Sequence, residues 1–314
     1  MIRVEGLRVR FGERLALDDI SFAASAGEIV GLLGPNGAGK TTTLSVLATL
    51  RGADAGLVEV AGHSVATDAA AVRRVLGLVP QTLAIYPTLT ARENLRFFAR
   101  ILGLRRGALR EAVTRALEMV GLEERSDDVV STFSGGMQRR LNLACGLMHS
   151  PRVVLLDEPT VGVDPQSRER IFTAVRAQAA AGAAVIYSTH YMEEAERLCD
   201  RVVLVDRGHV VATGAPAELI HAATTGLRLE VVTRTVLPVG WHDGVAGARP
   251  FAGPEPTARI ARGNRVSVVV EGLAAAPRIL ERAAALGGEV LEFHVQRTDL
   301  QSVFLSLTGH DLRD

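Results

Sequence analysis

Lysine is nearly absent from this chain. Of its 35 basic residues, 34 are arginine and only Lys40 is lysine, a bias of the kind that genome composition imposes. Lysine is a compact point charge and arginine a planar fork, and the two are not interchangeable at a crowded phosphate site, so a lysine kept against that bias points to chemistry. Cysteine is also scarce: Cys145 and Cys199 stand far apart, in apolar segments and in no ligand spacing. They read as buried, reduced thiols, which excludes a disulfide framework and a thiolate metal site. Excess charge of either sign is missing, since 35 basic and 35 acidic residues leave a formal net charge of zero. That argues against a nucleic-acid binder driven by a strong positive field, and no nucleic-acid partner is expected. The longest apolar stretches, such as Ala177 to Tyr187 and Val153 to Leu156, fall well short of the roughly 18 to 20 residues of a bilayer span. Met1 leads straight into Ile2-Arg3-Val4-Glu5-Gly6-Leu7 without a charged segment followed by an apolar one, so a cytoplasmic protein is expected.

What is present suits a folded chain. Its 314 residues, 47% hydrophobic and 22% charged, fit one large or two modest globular domains and exclude disorder, collagen-like repeats and miniprotein scaffolds. From Met1 to about Ile220, short apolar runs alternate with helical patterns and glycine turns, which predicts an α/β domain over residues 1–220. Glu28 to Leu33, Val153 to Asp157 and Ala184 to Ser188 read as buried strands, and Leu44 to Leu50 as a helix. Between about 83 and 150 the pattern turns helical, with apolar residues at helical spacing in Glu93 to Leu104 and Leu109 to Val120, so a helical insert is expected. Within it, Phe97, Phe98 and Ile101 read as core or as the wall of a groove, core being favoured on burial preference. Beyond Gly214-Ala215-Pro216, a small α+β domain over 221–314 is predicted. A short helix from Ala217 to His221 leads into Leu227 to Val236 and then a Gly/Pro-rich stretch from Pro238 to Pro256. Strand-like Arg265 to Glu271, a helix from Pro277 to Leu286, a strand from Glu289 to Val295 and a last helix with Leu300, Val303, Phe304 and Leu307 on one face complete it.

Chemistry concentrates in the first part. Gly34-Pro35-Asn36-Gly37-Ala38-Gly39-Lys40-Thr41-Thr42 follows a predicted strand and opens a helix, the context a P-loop requires. Its glycines let backbone N–H groups turn inward around a phosphate, and the following helix adds the positive end of its dipole. Lys40 would reach the β- and γ-phosphates of a nucleotide and the Thr41 hydroxyl would ligate Mg2+. Val153 to Asp157 and then Glu158 form an apolar strand ending in two carboxylates, where open α/β sheets bind ligands; alone, such a strand end is mostly structural. Beside a P-loop it resembles a Walker B strand, with Asp157 holding Mg2+ through its water shell and Glu158 polarising the water that attacks the γ-phosphate. In Thr132-Phe133-Ser134-Gly135-Gly136-Met137-Gln138-Arg139-Arg140, Ser134 is a good N-cap, and Gly135 and Gly136 free backbone amides to face an anion.

Ser-Gly-Gly some twenty residues before an Asp-Glu strand is similar to the signature motif of ABC ATPases, and residues 1–220 resemble the ATP-binding subunit of an ABC transporter. Within that resemblance, Phe11 stands where an aromatic stacks on adenine, and Gln81 matches the glutamine that senses Mg2+ and the attacking water. Asp164 matches the loop that communicates across a dimer, and His190 the switch histidine that contacts the γ-phosphate. Met137 departs from the glutamine that many members carry there; Gln138 follows it. The form Phe-Ser-Gly-Gly-Met-Gln-Arg-Arg-Leu looks like the exporter ATPases of the daunorubicin-resistance type, as do Leu89 to Leu95 and the tail Leu300 to Gly309.

The resemblance implies a mechanism. The P-loop of one copy and Ser134 to Met137 of another enclose each ATP, which makes a homodimer the symmetric arrangement. Glu158, His190 and Lys40 would carry hydrolysis, and a separate integral-membrane permease, reached through the groove between Gln81 and the helical insert, would receive the work. The expected location is the cytoplasmic face of the membrane. An importer is disfavoured because its subunits often bring a β-barrel tail. A soluble ATPase of ribosomes or DNA is disfavoured by the single ATPase unit and short insert, and a non-hydrolysing module by Glu158. The transported substrate stays open among drug, antibiotic, lipid and polysaccharide.

Overall fold

The computed structural model describes residues 1–223, 227–250, 264–296 and 299–309. It divides into two compact units, Met1–Pro216 and Ala217–Asp314.

The first unit is built on two sheets. One is antiparallel, with β1 (Ile2–Phe11) between β2 (Arg14–Ala24) and β4 (Ala55–Val60), and the two-residue β5 (His63–Ser64) on the outer edge of β4. Along β1, buried Ile2, Val4, Leu7 and Val9 alternate with exposed residues, the pattern of a sheet with one face on the core. The other sheet has six strands. In spatial order they are β10 (His209–Gly214), β9 (Arg201–Asp206), β3 (Ile29–Leu33), β8 (Ala184–Thr189), β7 (Val153–Asp157) and β6 (Leu76–Val79). All run parallel except β10, which returns antiparallel on β9. Every residue of β3, β7 and β8 is buried, which is why these strands read as unbroken apolar runs. The core lies between the sheets, where Leu7, Ile20, Val30, Leu32, Leu155 and Val203 pack with Leu44 and Leu47 of α1 (Lys40–Leu47). The short α2 (Ala69–Val75) feeds β6.

Three helices follow β6: α3 (Ala91–Ile101), α4 (Arg106–Val120) and α5 (Gly135–Leu147). Thr90 and Glu93 form a capping box on α3, each side chain accepting the other's backbone N–H, at 3.1 and 2.9 Å. The expected burial of this region is corrected in part. Phe97 is exposed, Phe98 is half-buried and Ile101 is 65% exposed, because α3 turns Ala91, Asn94, Leu95 and Ala99 inward instead. The remaining helices of the unit are α6 (Pro165–Ala180) and α7 (Met192–Leu198).

The second unit opens with α8 (Pro216–Ala223) and continues with β11 (Leu227–Thr233), β12 (Ala248–Pro250) and β13 (Asn264–Val270). It ends with α9 (Ala276–Ala285), β14 (Val290–Gln296) and α10 (Leu300–Thr308). Its sheet is antiparallel, in the order β12-β13-β11-β14, and Ile279 and Ala283 of α9 pack with Leu229, Val231, Val268, Val270 and Trp241. Residues 251–256 of the Gly/Pro-rich stretch lie outside the described residues. On α10, Leu300, Val303 and Phe304 are buried as expected, but Leu307 is 52% exposed, since it lies in the last turn.

Candidate active site

Sheet topology brings the sequence motifs together. β8 pairs with β3 on one side and with β7 on the other, and β6 pairs with β7. Leu33 is level with Thr189, Asp157 with Ser188, and Val79 with Leu156. The segments leaving these strand ends, Gly34 to Gly39, Pro80-Gln81, Glu158 to Asp164 and His190, therefore emerge side by side at the carboxyl edge of one sheet, where α/β folds bind ligands.

The loop from Gly34 to Gly39 turns inward because two of its residues are left-handed, Gly37 at φ 82° and Gly39 at φ 111°. Gly34 is fixed for a different reason: a Cβ there would lie 2.1 Å from the Val205 carbonyl oxygen. Lys40 is only 5% exposed, and its Nζ donates to the carbonyls of Gly34 at 2.6 Å and Pro35 at 3.0 Å. The same ammonium lies 3.4 Å from Glu158 Oε1. Burial lowers the Lys40 pKa below its ordinary value, and the attraction of Glu158 offsets this only in part.

Glu158 is the meeting point. Besides Lys40, its Oε2 accepts from Gln81 Nε2 at 3.1 Å, and its Oε1 lies 3.2 Å from His190 Nδ1, although that pair lacks the alignment of a hydrogen bond. The residue is buried, and its backbone is left-handed, at φ 45°, a conformation that non-glycine residues seldom adopt. Its N–H donates to Ser188 at both the carbonyl, 3.2 Å, and the hydroxyl oxygen, 3.1 Å, which holds the turn in place. The Ser188 hydroxyl in turn donates to Asp157 Oδ1 at 2.6 Å. Ser188 is thus a site residue that the sequence reading named only as the end of a strand.

A cavity of about 370 Å3 opens over this cluster, lined by Phe11, Asn36, Gly37, Gly39, Lys40, Thr41, Thr42, Gln81 and Glu158 together with Arg14 and Ala16. The last two were not expected; Arg14 enters because it faces Phe11 across the β1–β2 turn. Phe11 is 48% exposed, and the Arg51 guanidinium stacks 3.8 Å from its ring centroid.

Gln81 is tied to the helical segment. Asn142 on α5 is buried, accepts from the Ala84 N–H at 2.9 Å and donates to the Pro80 carbonyl at 3.3 Å, so it clamps the loop on both sides of Gln81. Arg139, one residue past Gln138 on α5, donates to the Gln81 carbonyl. Burial lowers its pKa, opposed by the attraction of Glu158. Sequence spacing could not separate Arg139 from Arg140, which instead donates to the Val120 and Gly121 carbonyls at 2.5 and 3.1 Å.

Ser134 caps α5 by accepting from the Met137 N–H at 3.3 Å. The Gln138 amide turns inward to the carbonyls of Val130 and Phe133, both at 3.3 Å, so it does not replace a glutamine side chain at Met137. Gly136 packs against the start of α6, where a Cβ would sit 2.5 Å from Asp164 Oδ2 and from Ser167 Oγ. Asp164 caps α6 through the Ser167 N–H at 2.8 Å, and that bond lowers its pKa. Ser134 and Gly135 are exposed, Met137 is half-buried and Gly136 is buried, and none of the four is among the residues that line the Phe11 cavity.

A glycine-rich phosphate loop, a buried lysine and a paired carboxylate at the carboxyl edge of a parallel sheet define a P-loop ATPase. The comparisons refine this. Residues 17–161 match the family model described as ABC transporter. The linearmycin resistance ATP-binding protein LnrL of Bacillus subtilis (strain 168) is 39% identical over 100% of both chains. The daunorubicin resistance ATP-binding protein DrrA3 of Streptomyces coeruleorubidus is 40% identical over 99% of this chain and 97% of the relative. Among solved structures, an ATP-binding subunit of an ABC transporter superposes with a TM-score of 0.65 at 30% identity, covering 71% of this chain and 92% of that one. A dimeric post-hydrolysis state of the ATP-binding cassette MJ0796, bound to ADP and Pi, gives a TM-score of 0.63 at 26% identity over 68% and 98%. The chain belongs to the ABC transporter family, as an ATP-binding subunit that hydrolyses ATP. No helix of the described residues is long and apolar enough to cross a membrane.

Proposed function

We propose that this chain drives an exporter of drug-like, antibiotic or other hydrophobic compounds by hydrolysing ATP at the Glu158 cluster and passing the work to a separate membrane permease. The convergence of Lys40, Gln81 and His190 on the Glu158 carboxylate carries the mechanistic part. The resistance relatives, matched along 97% or more of their length, support the exporter part.

In this reading Phe11 stacks on the base, Gly34 to Thr42 wrap the phosphates and Lys40 leaves Glu158 for them. Freed of the lysine, Glu158 takes a proton from the attacking water, while Gln81 and His190 hold the water and the γ-phosphate in place. Thr41, Gln81 and Asp157 would hold Mg2+, which when bound neutralises phosphate charge. The donor set suits that ion: these are hard oxygen donors, and among the described residues no three His, Cys, Asp or Glu gather as a protein cage. A cation held mainly by phosphate and water fits such a site.

Two copies form a homodimer in which Ser134, Gly135, Gly136 and Met137 of one face the nucleotide of the other, next to Asp164. A shift from 1:99 to 99:1 closed requires about 5.5 kcal/mol of differential binding, which γ-phosphate contacts to this segment supply and hydrolysis removes. The permease seats beside Gln81, on the exposed faces of Tyr86, Phe97 and Ile101, and keeps the chain at the cytoplasmic face of the membrane. Residues 1–220 act as the ATPase domain and 221–314 as an accessory domain. The test is ATPase activity and size-exclusion chromatography of wild type and Glu158→Gln in ATP and Mg2+, followed by dye efflux from cells that express the chain with its permease. An active wild type, an inactive variant trapped as a dimer and Glu158-dependent efflux are expected. A variant that keeps wild-type turnover, or efflux indifferent to it, overturns the proposal.

A further inference from the structure

Beneath the site lies a buried carboxylate that the reaction does not use. Glu194, on α7, is 2% exposed. Its Oε2 accepts three hydroxyls: Thr160 Oγ1 at 2.8 Å, Tyr187 OH at 2.9 Å and Thr189 Oγ1 at 3.2 Å. All three donors are buried. Its Oε1 lies 3.3 Å from Arg168 Nε of α6. Burial raises the Tyr187 pKa well above its ordinary value and the charge of Glu194 adds to this, so the phenol stays a donor.

The donors come from the segments that carry the site. Thr160 stands two residues after Glu158 and opens the turn that ends at Asp164; its carbonyl accepts from the Val163 N–H at 3.2 Å. Thr189 immediately precedes His190, and its hydroxyl oxygen accepts from the Tyr191 N–H at 2.9 Å, so one side chain grips the backbone on the far side of the histidine while bonded to Glu194. The Tyr191 ring packs 4.1 Å from the His190 ring. Three hydroxyls on one carboxylate oxygen are charge-assisted bonds among buried groups, where geometry is strongly enforced.

We propose that Glu194 is a positioning residue for His190: through Thr189 it fixes the turn that aims the imidazole at Glu158, and through Thr160 it ties that turn to the Asp164 loop. The inference rests on the reading of His190 as part of the hydrolytic site. A neutral amide at 194 accepts fewer hydroxyls and accepts them more weakly, so Thr189 is released first, having the longest of the three bonds.

The experiment is a double-mutant cycle on single-turnover ATP hydrolysis with Glu194→Gln and His190→Ala, alongside ATP affinity measured with a fluorescent ATP analogue. Alone, Glu194→Gln is expected to lower the rate about tenfold and leave affinity within about twofold. In the His190→Ala background it is expected to cost less than about twofold, because the group it positions is gone. The same tenfold loss in both backgrounds overturns the proposal and leaves the His190 reading intact. A His190→Ala protein with wild-type turnover overturns both. Thr189→Val, which keeps the carboxylate and two of its three donors, covers the case in which Glu194→Gln fails to fold. Its loss must likewise vanish without His190.

Discussion

Replacing Glu158 with glutamine separates two jobs that the proposed mechanism gives one carboxylate, holding Lys40 and taking a proton from water. At 3.4 Å from Lys40 Nζ, and with an effective dielectric near 20, the charge pair attracts by about 5 kcal/mol before desolvation is counted. At the lysine desolvation outweighs this, since the Lys40 pKa is lowered despite the carboxylate, but removing the carboxylate leaves the buried ammonium less compensated, at a cost of about 1 to 3 kcal/mol with its two carbonyl partners kept. Glutamine keeps the side-chain shape and the left-handed backbone cost but removes the negative charge beside Lys40, which keeps the Gly34 and Pro35 carbonyls and the weaker attraction of Asp157. The nucleotide-free variant should therefore melt about 3 to 8 °C below wild type. Phosphate supplies the missing negative charge, so a non-hydrolysable ATP analogue with Mg2+ should raise the variant's melting temperature by more than it raises the wild type's. Turnover should fall by a factor of about 100 to 10,000, the usual worth of a general base. Thermal melts with and without the analogue, together with phosphate-release assays, read both effects. An analogue-induced shift smaller than the wild type's would refute the exchange of Lys40 between Glu158 and phosphate.

Phe11→Ala should raise KM for ATP about tenfold with kcat nearly kept, the worth of one base stacked on an aromatic, and Phe11→Trp should restore it; steady-state kinetics with an unchanged KM would remove Phe11 from the site. Gly136→Ala places a methyl 2.5 Å from Asp164 Oδ2 and Ser167 Oγ and 2.9 Å from Ser167 Cβ, so a loss of about 1 to 3 kcal/mol is expected in denaturant titration, and no loss would mean that the starts of α5 and α6 do not pack. His149 is held below its ordinary pKa by burial, so below about pH 6.5 the unfolded chain binds the proton more readily and stability drops as pH falls through the folded value. A His149→Met variant should show a shallower acid limb in melts between pH 7.5 and pH 5, values chosen to span about that range.

Much of the ATPase fold was legible because strands buried on both faces must be continuously apolar. β7 is read to the residue, and β3 and β8 to within one at an end. The antiparallel sheet was not read: β1 and β2 alternate buried and exposed side chains, with breaks in register near Leu7 and Val9 that blur the period. Helix α1 begins at Lys40, four residues before the apolar pattern, because its first turn presents the P-loop's own lysine and threonines. The helical start at Gly135 was marked by its cap, whereas Phe97 and Ile101 were misjudged because burial preference says nothing about which face of α3 a tertiary contact selects. Lys40, Glu158 and Gln81 stood out by type and motif. Arg14, Arg139 and Ser188 did not, since each acts through a backbone or cross-strand neighbour that only the fold supplies.

The Asn142 clamp has a consequence for timing. Because Ala84, Pro80 and Gln81 are all fastened to α5, a push on that loop has no slack in which to dissipate. It would swing a helix capped by Ser134 and opening with Gly135 and Gly136, two turns away from the asparagine. In the proposed dimer one lever would thus have two working ends: a permease that leans on the loop would report at once to the chain's own Glu158 and to the neighbouring copy's nucleotide, and cutting the lever at Asn142 should leave an ATPase that runs without listening.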